Sequence, residues 1–599
     1  MPIATSPPLT DIAPGDMTGD QLALASSEAV FAQTRYGNIT GGRVRNGCQV
    51  FLNVPYGQNV LRWVDPKALA DDHRYPDTEY TVDGLYCAQP SRPYTLQIPM
   101  RDRLGLGQPT ENPFFADIYI PSDRDLSDTS LPPLPVRVFI HGGFLQFGST
   151  SGQHYNQQFF SSEHFNEIRV LLGHRVSVLG FLGCDEPKVS GNFGFKDCWL
   201  GLEWVRDNIA AFGGDPEQVH LSGLSGGGHV VHQLLHQAAR LAPSKAPFVT
   251  ATLMSNAILT DPLPPSSRRD QFAAFCRALG ADPSSPAILE ELRDTTRYPT
   301  ARLIEAVQAM EGLSTFRGVV GEDGWNRADE MEYQQSGGLA AGLKAAGVKC
   351  VIMGDVRDED YFYSIVHPCE SAADVLPNLE RYYTAEASRA LRSAYPDLPA
   401  DASPAECDRL QGRILSDGQV HLPVRLLAKD LVGGGMPVVR YAIEYVAAKL
   451  GTKGHVSHGT DLALQHLRLS VLSPEETVAA LGWLRALDEA IRPALEGQGD
   501  AFAQLEEEEM LVLAKDGSTA WKQDWRWSQL RAAEAALRVT DDKYFVNADD
   551  DDETPGDDAG SEAKKRKLRP VNRGAQACNE CRGHKVSEAH LPGAYNSLA

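Results

Sequence analysis

An α/β fold, with a mostly parallel central sheet covered by helices on both faces, is the architecture this chain predicts, and two observations carry it. From about Val30 to Phe545, short β-branched or apolar runs alternate with Gly/Pro turns and longer helical patterns, the order that parallel strands and their crossover helices require. The 599 residues are 42% hydrophobic and 23% charged, enough apolar side chain to fill a large core under a solvated surface.

The elements follow in chain order. Residues 1–29 are rich in Pro, Thr, Ser and Asp and read as a loose arm. Strand-like runs appear at Val136-Arg137-Val138-Phe139-Ile140, Val219-His220-Leu221-Ser222, Cys350-Val351-Ile352-Met353 and Pro437-Val438-Val439-Arg440-Tyr441-Ala442. Between them lie helical patterns, notably over 196–211 and 227–240. One domain over 30–546 accounts for all of these. The tail, 547–599, differs in kind. An acidic run from Asp549 to Asp558 precedes a basic one from Lys564 to Arg569, with almost nothing apolar. Such a segment cannot bury enough surface to offset its ordering entropy and is expected to be disordered.

Charge and composition exclude several classes. A net charge of -23 repels phosphate backbones, so no nucleic-acid partner is expected. The first residues lack the basic start and apolar stretch of a signal peptide. No run of about 18 apolar residues marks a membrane helix. Ten cysteines are scattered, with only Cys578 and Cys581 close together; reduced thiols in a cytoplasmic protein are the simpler reading. Lys564-Lys565-Arg566-Lys567 offers a nuclear-import run as the alternative address.

The sharpest chemical signal is Gly223-Leu224-Ser225-Gly226-Gly227, a G-x-S-x-G pattern with a β-like run before it and a helical run after it. A serine at such a strand-to-helix elbow stands in a strained turn, where flanking glycines let neighbouring backbone approach. The helix N-terminus behind it favours developing negative charge. Upstream, a hydrophobic run ends in His141-Gly142-Gly143-Phe144. The backbone N–H groups of that loop, joined by that of Gly226, can point at the oxyanion of a tetrahedral intermediate. The order of these two loops is that of an α/β-hydrolase fold, in which an acid and then a histidine follow the serine. Downstream of Val351-Ile352-Met353 come Asp355, Asp358, Glu359 and Asp360. Downstream of 437–447 come His455 and His458. By position alone, any of the four carboxylates and either histidine can serve.

These motifs, with the strings around them, resemble the type-B carboxylesterase and cholinesterase family over roughly 30–530. The resemblance rests on Gly191-Asn192-Phe193-Gly194 with Asp197, Glu203-Trp204-Val205, and Asn208-Ile209-Ala210-Ala211-Phe212-Gly213-Gly214-Asp215-Pro216. Arg357-Asp358-Glu359, His458-Gly459-Thr460-Asp461-Leu462, Val54-Pro55-Tyr56 and Arg62-Trp63 add to it. It implies an intracellular, fungal-like serine esterase with nucleophile Ser225, acid Glu359 and base His458. The implied oxyanion donors are Gly143, Phe144 and Gly226. It implies a small-molecule ester substrate, hydrolysis through an acyl-enzyme, and no metal or organic cofactor. The same machinery acting on a lactone, carbamate or amide, and a catalytically silent binding module, are the alternatives.

The chain departs from the family pattern in places. Leu224 stands where the family has Glu, Gly226 where it has Ala, and Asp360 where it has Gly. Phe144 replaces a small residue and is expected to narrow the acyl side of the pocket. Cys87 matches the first cysteine of a family disulfide, but its partner position is Pro113; a second pair is replaced by Ala281 and Glu291. Two further patterns are set aside. His229, His232 and His236 share a helix face with no carboxylate or cysteine placed beside them, which favours packing over a metal site. Cys578 and Cys581 resemble the start of a fungal binuclear zinc cluster, but Glu588 stands at the third cysteine position and none follows. The tail is therefore expected to hold no zinc.

Overall fold

The structure is a computed structural model that describes residues 28–90, 108–150, 158–498 and 508–538, apart from single positions at 45, 83, 311, 367, 400, 451 and 453. The arm 1–27 and the tail 547–599 lie outside the described residues.

A twelve-stranded sheet organises the molecule. Numbering its strands alone, they are β1 Val30–Thr34, β2 Gly37–Arg43, β3 Gln49–Pro55, β4 Phe115–Ile120, β5 Leu134–Ile140 and β6 Ile168–Leu172. There follow β7 Gly214–Leu224, β8 Thr250–Met254, β9 Cys350–Val356, β10 Val438–Ile443, β11 Glu509–Leu513 and β12 Thr519–Gln523. The spatial order is β1-β2-β3-β4-β6-β5-β7-β8-β9-β10-β11-β12. Every pair from β6 through β11 is parallel, while the pairs at both margins are antiparallel. The parallel block is the α/β sheet expected from the sequence, and the antiparallel margins extend it.

Side-chain alternation along the strands divides the core. On β9, Val351 and Met353 pack into one hydrophobic cluster with the helix α2 (Gly226–Arg240), whereas Cys350 and Ile352 pack into another. Trp483 and Ile491 of a long helix, Pro474–Leu495, fill that second cluster. Both faces of the sheet are thereby buried, which is why the parallel strands read as near-continuous apolar runs.

The family-specific string around Asn208 has a structural cause. Helix α1 (Phe193–Asn208) tightens into a 3₁₀ turn over Ile209–Phe212, and Gly213 stops it at φ 80°. That left-handed cap suits glycine. Gly213 then accepts from the Leu134 N–H, and Gly214 opens β7 beside Leu134. One turn thus ends a helix and starts the strand that carries the elbow.

A third apolar cluster lies beyond the C-terminal ends of the strands. It joins helix α3 (Glu359–Val366) and helix α4 (Pro404–Ser416) to Leu379, Tyr383 and Leu530, with Phe144 and Tyr382 packed against it. It forms a wall beside the loops that leave β5, β7 and β9.

Candidate active site

Ser225 sits between β7 and α2 with φ 56° and ψ -122°, a conformation that side chains rarely adopt. Its N–H donates to the Met254 carbonyl at 2.8 Å, and its carbonyl accepts from His229 N–H at 3.0 Å. The glycines at either side are required by contact. A Cβ on Gly223 would fall on the Gly227 carbonyl, and one on Gly227 would fall on the Ile140 carbonyl. A Cβ on Gly226 would lie 2.9 Å from the Phe144 nitrogen and 3.0 Å from that of Leu145. The loop after β5 therefore presses directly on the residue after the serine.

That loop carries three successive positive φ angles: 123° at Gly143, 55° at Phe144 and 67° at Leu145. The turn is locked from within, because the Gly143 carbonyl accepts from the N–H groups of Gln146 and Phe147 at 2.8 and 3.1 Å. Among the described residues, the N–H groups of Gly143, Phe144 and Gly226 donate to no carbonyl or side chain. Gly142 approaches the serine as well: a Cβ there would lie 3.2 Å from the Ser225 Cβ.

The open choice among carboxylates and histidines closes on side-chain geometry. Glu359 is fully buried, and its Oε2 lies 2.6 Å from His458 Nδ1. Asp355 is bound instead to Arg425, at 2.6 Å, and to His421. Asp358 is clamped by its neighbour Arg357 and accepts from the Val456 N–H at 2.8 Å. Asp360 is exposed. His455 stacks on Tyr361 at 4.1 Å, half out in solvent, whereas His458 is buried.

His458 is held on its faces too. The Phe362 ring stacks on it at 4.7 Å, and Tyr363 meets it edge-on at 5.8 Å. Its Nε2 is buried and has no hydrogen-bond partner among the described residues. The histidine loop reaches the elbow: a Cβ on Gly459 would touch the Leu224 side chain at 3.4 Å. Glu359 does not continue the strand but begins α3. Two carboxylates, Glu359 and Asp360, stand in that first turn, where the helix dipole favours negative charge.

Sequence reasoning missed several residues around this site. Asp461 is fully buried three positions after His458, and its carboxyl is pushed up to about 7 by burial and by the Glu359 charge. In the sequence Asp461 figures only within the string that carries the resemblance, with no role, and Phe362 and Gln146 are not marked at all. Nothing in a single sequence distinguishes them from core filling, since their roles depend on segments brought in from far along the chain.

The three histidines of α2 are taken up by packing and polar contacts. His232 bonds Gln334 and accepts from the Ile258 N–H, His236 stacks on His232, and His229 stacks on Phe195. Burial is the first cause holding all three below their usual range, to about 3 for His229 and about 4 for His232. Among the described residues no group of three or more His, Cys, Asp or Glu side chains could hold a metal ion. The eight cysteines from Cys48 to Cys407 are buried free thiols, Cys87 included. No helix among the described residues is long and apolar enough to cross a membrane. Cys578 and Cys581 lie outside the described residues.

Comparison with known proteins gives a consistent result. The carboxylesterase family model matches residues 28–529. An uncharacterised esterase/lipase of Schizosaccharomyces pombe is 28% identical over 509 residues, covering 80% of this chain and 90% of that protein. A carboxylic ester hydrolase of Gibberella moniliformis is 26% identical over 479 residues, covering 75% and 81% respectively. Among solved structures, a PNB esterase matches with a TM-score of 0.64 at 21% identity, over 84% of this chain and 99% of that one; at that identity the likeness speaks for the fold.

Proposed function

We propose, from the premise that this chain belongs to the carboxylesterase family and is a serine ester hydrolase, that Ser225, His458 and Glu359 carry its reaction. His458 Nε2 takes the proton of Ser225 Oγ as the oxygen attacks the ester carbonyl. Glu359 fixes the imidazole tautomer through Nδ1 and stabilises the imidazolium that forms. The N–H groups of Gly143, Phe144 and Gly226 receive the oxyanion. His458 then protonates the leaving alcohol, and a water activated by the same Nε2 releases the acid. The substrate is a small-molecule ester.

The observation that carries this reading is the 2.6 Å contact between His458 Nδ1 and Glu359 Oε2, which leaves the buried Nε2 unengaged beside the elbow loop. Its test is Ser225→Ala. Hydrolysis of a simple aryl ester should fall on the order of 10⁴-fold or more, with the melting temperature unchanged. A variant that keeps activity within tenfold of the parent would remove Ser225 from the reaction.

A further inference from the structure

Beside Tyr382, which packs against the apolar wall, two arginines lack a neutralising carboxylate among the described residues. Several buried arginines elsewhere in the fold are matched by carboxylates: Arg62 pairs with Glu111, Arg175 with Asp197, and Arg425 with Asp355 and Asp524. Arg317 and Arg268 have no carboxylate and no hydrogen bond among the described residues, and the Nε of each is buried without a partner. Leaving guanidinium groups partly desolvated and unpaired is costly. In a chain with a net charge of -23, acidic partners were abundant.

Arg317 is fixed close to the reacting groups by a short circuit of contacts. The Gln146 side chain donates to the Phe144 carbonyl at 2.9 Å and to that of Phe316, and it accepts from the Phe316 N–H at 2.9 Å. The oxyanion loop is thereby tied to the residue before Arg317. The Arg317 guanidinium then stacks over the Tyr382 ring at 4.7 Å, and Tyr382 meets the Phe144 ring at 6.3 Å. Phe144 in turn stacks at 6.0 Å on Phe362, the ring that faces His458. Arg268 stands behind, because the segment before it pairs with the one after Arg317: the Val320 N–H donates to Leu263 at 2.9 Å. The Arg317 charge adds to burial in holding the Arg268 guanidinium down to about 10. It also adds to burial in depressing His229, one turn beyond the serine.

We infer that Arg317, backed by Arg268, is a cationic subsite at the end of the acyl pocket that takes a carboxylate carried on the acyl part of the ester. Stacking on Tyr382 occupies one face of the guanidinium and leaves its in-plane N–H groups to bond a planar anion. The acyl side is indicated because Phe144 belongs to the oxyanion loop, so its ring and the Tyr382–Arg317 stack beyond it flank the carbonyl's acyl substituent. The preferred substrate is then a half-ester of a dicarboxylic acid. Its anionic end would otherwise be repelled by the acidic surface. This assignment rests on Ser225 being the nucleophile.

The test compares three aryl esters on the full chain. These are 4-nitrophenyl pentanoate, the mono-4-nitrophenyl ester of glutaric acid, and 4-acetoxybenzoate, whose carboxylate is on the leaving group. Arg317→Gln should lower kcat/KM for the glutarate half-ester by roughly tenfold or more, mainly through KM. The pentanoate and 4-acetoxybenzoate should stay within about twofold. Arg317→Lys should retain most of the half-ester activity, and Arg268→Gln should lose less than Arg317→Gln. Equal losses on pentanoate and half-ester, a loss confined to 4-acetoxybenzoate, or no loss at all would each overturn the subsite. Failure of the underlying reading looks different: Ser225→Ala would still hydrolyse pentanoate at the parent rate.

Discussion

At the end of β7 the chain passes from Gly223 through Ser225 to Gly227, and each glycine is held there by a backbone carbonyl that a Cβ would strike. At the end of β9 and in the turn that follows stand Asp355, Asp358, Glu359 and Asp360, and each carboxylate meets a different fate: one on Arg425, one on Arg357, one on His458, one in water. The first turn is specified by the space around its own backbone. The second is specified by side chains arriving from residues 357, 425 and 458. The same sheet edge thus delivers a nucleophile through local sterics and an acid through tertiary partners. Substitutions in the two turns should therefore fail in different ways: an exchange after β9 disturbs chemistry, and an added atom after β7 disturbs the fold.

The larger effect belongs to the carboxylate turn. Glu359→Gln preserves shape but removes the charge facing His458 Nδ1, so kcat should fall by roughly 10³- to 10⁴-fold with KM little changed. Asp360→Asn, on an exposed side chain, should leave kcat within about twofold. If Asp358→Asn or Asp360→Asn proved the more damaging change in steady-state kinetics, the contrast between the four carboxylates would collapse.

The smaller effect belongs to the elbow. Gly227→Ala adds one methyl where the Ile140 carbonyl already stands, and relief requires β5 and α2 to separate. Overpacking of this kind costs about 1–3 kcal/mol. The cost should appear as a lower urea midpoint, with activity reduced in the same preparation. Unchanged stability would show that the turn has slack and that its glycines answer to something other than contact.

This contrast also explains what the sequence made legible. Glycines two residues to either side of Ser225 encode the elbow in consecutive positions, and the Gly213 cap encodes the end of α1 in the same way. The strand cores at 136–140 and 350–353 were visible as apolar runs, although β7 extends back to Gly214 through an irregular stretch before Val219. By spacing alone Glu359 stood level with three other carboxylates, and only the resemblance singled it out. Its actual selection depends on a histidine 99 residues away. Arg317 was invisible for a related reason: a lone arginine in a loop carries no pattern. Its meaning comes from Tyr382 and Gln146, which reach it from distant parts of the chain.

The account turns on one atom, the Oγ of Ser225, being the nucleophile, and covalent labelling addresses it directly. The protein should be treated with a fluorophosphonate, digested, and its adduct mapped by mass spectrometry. A single adduct on Ser225, lost when the protein is denatured before treatment, is the expected result. An adduct on Ser222, whose Oγ is engaged with the Val138 carbonyl at 3.0 Å, or on the buried Ser255, would contradict it.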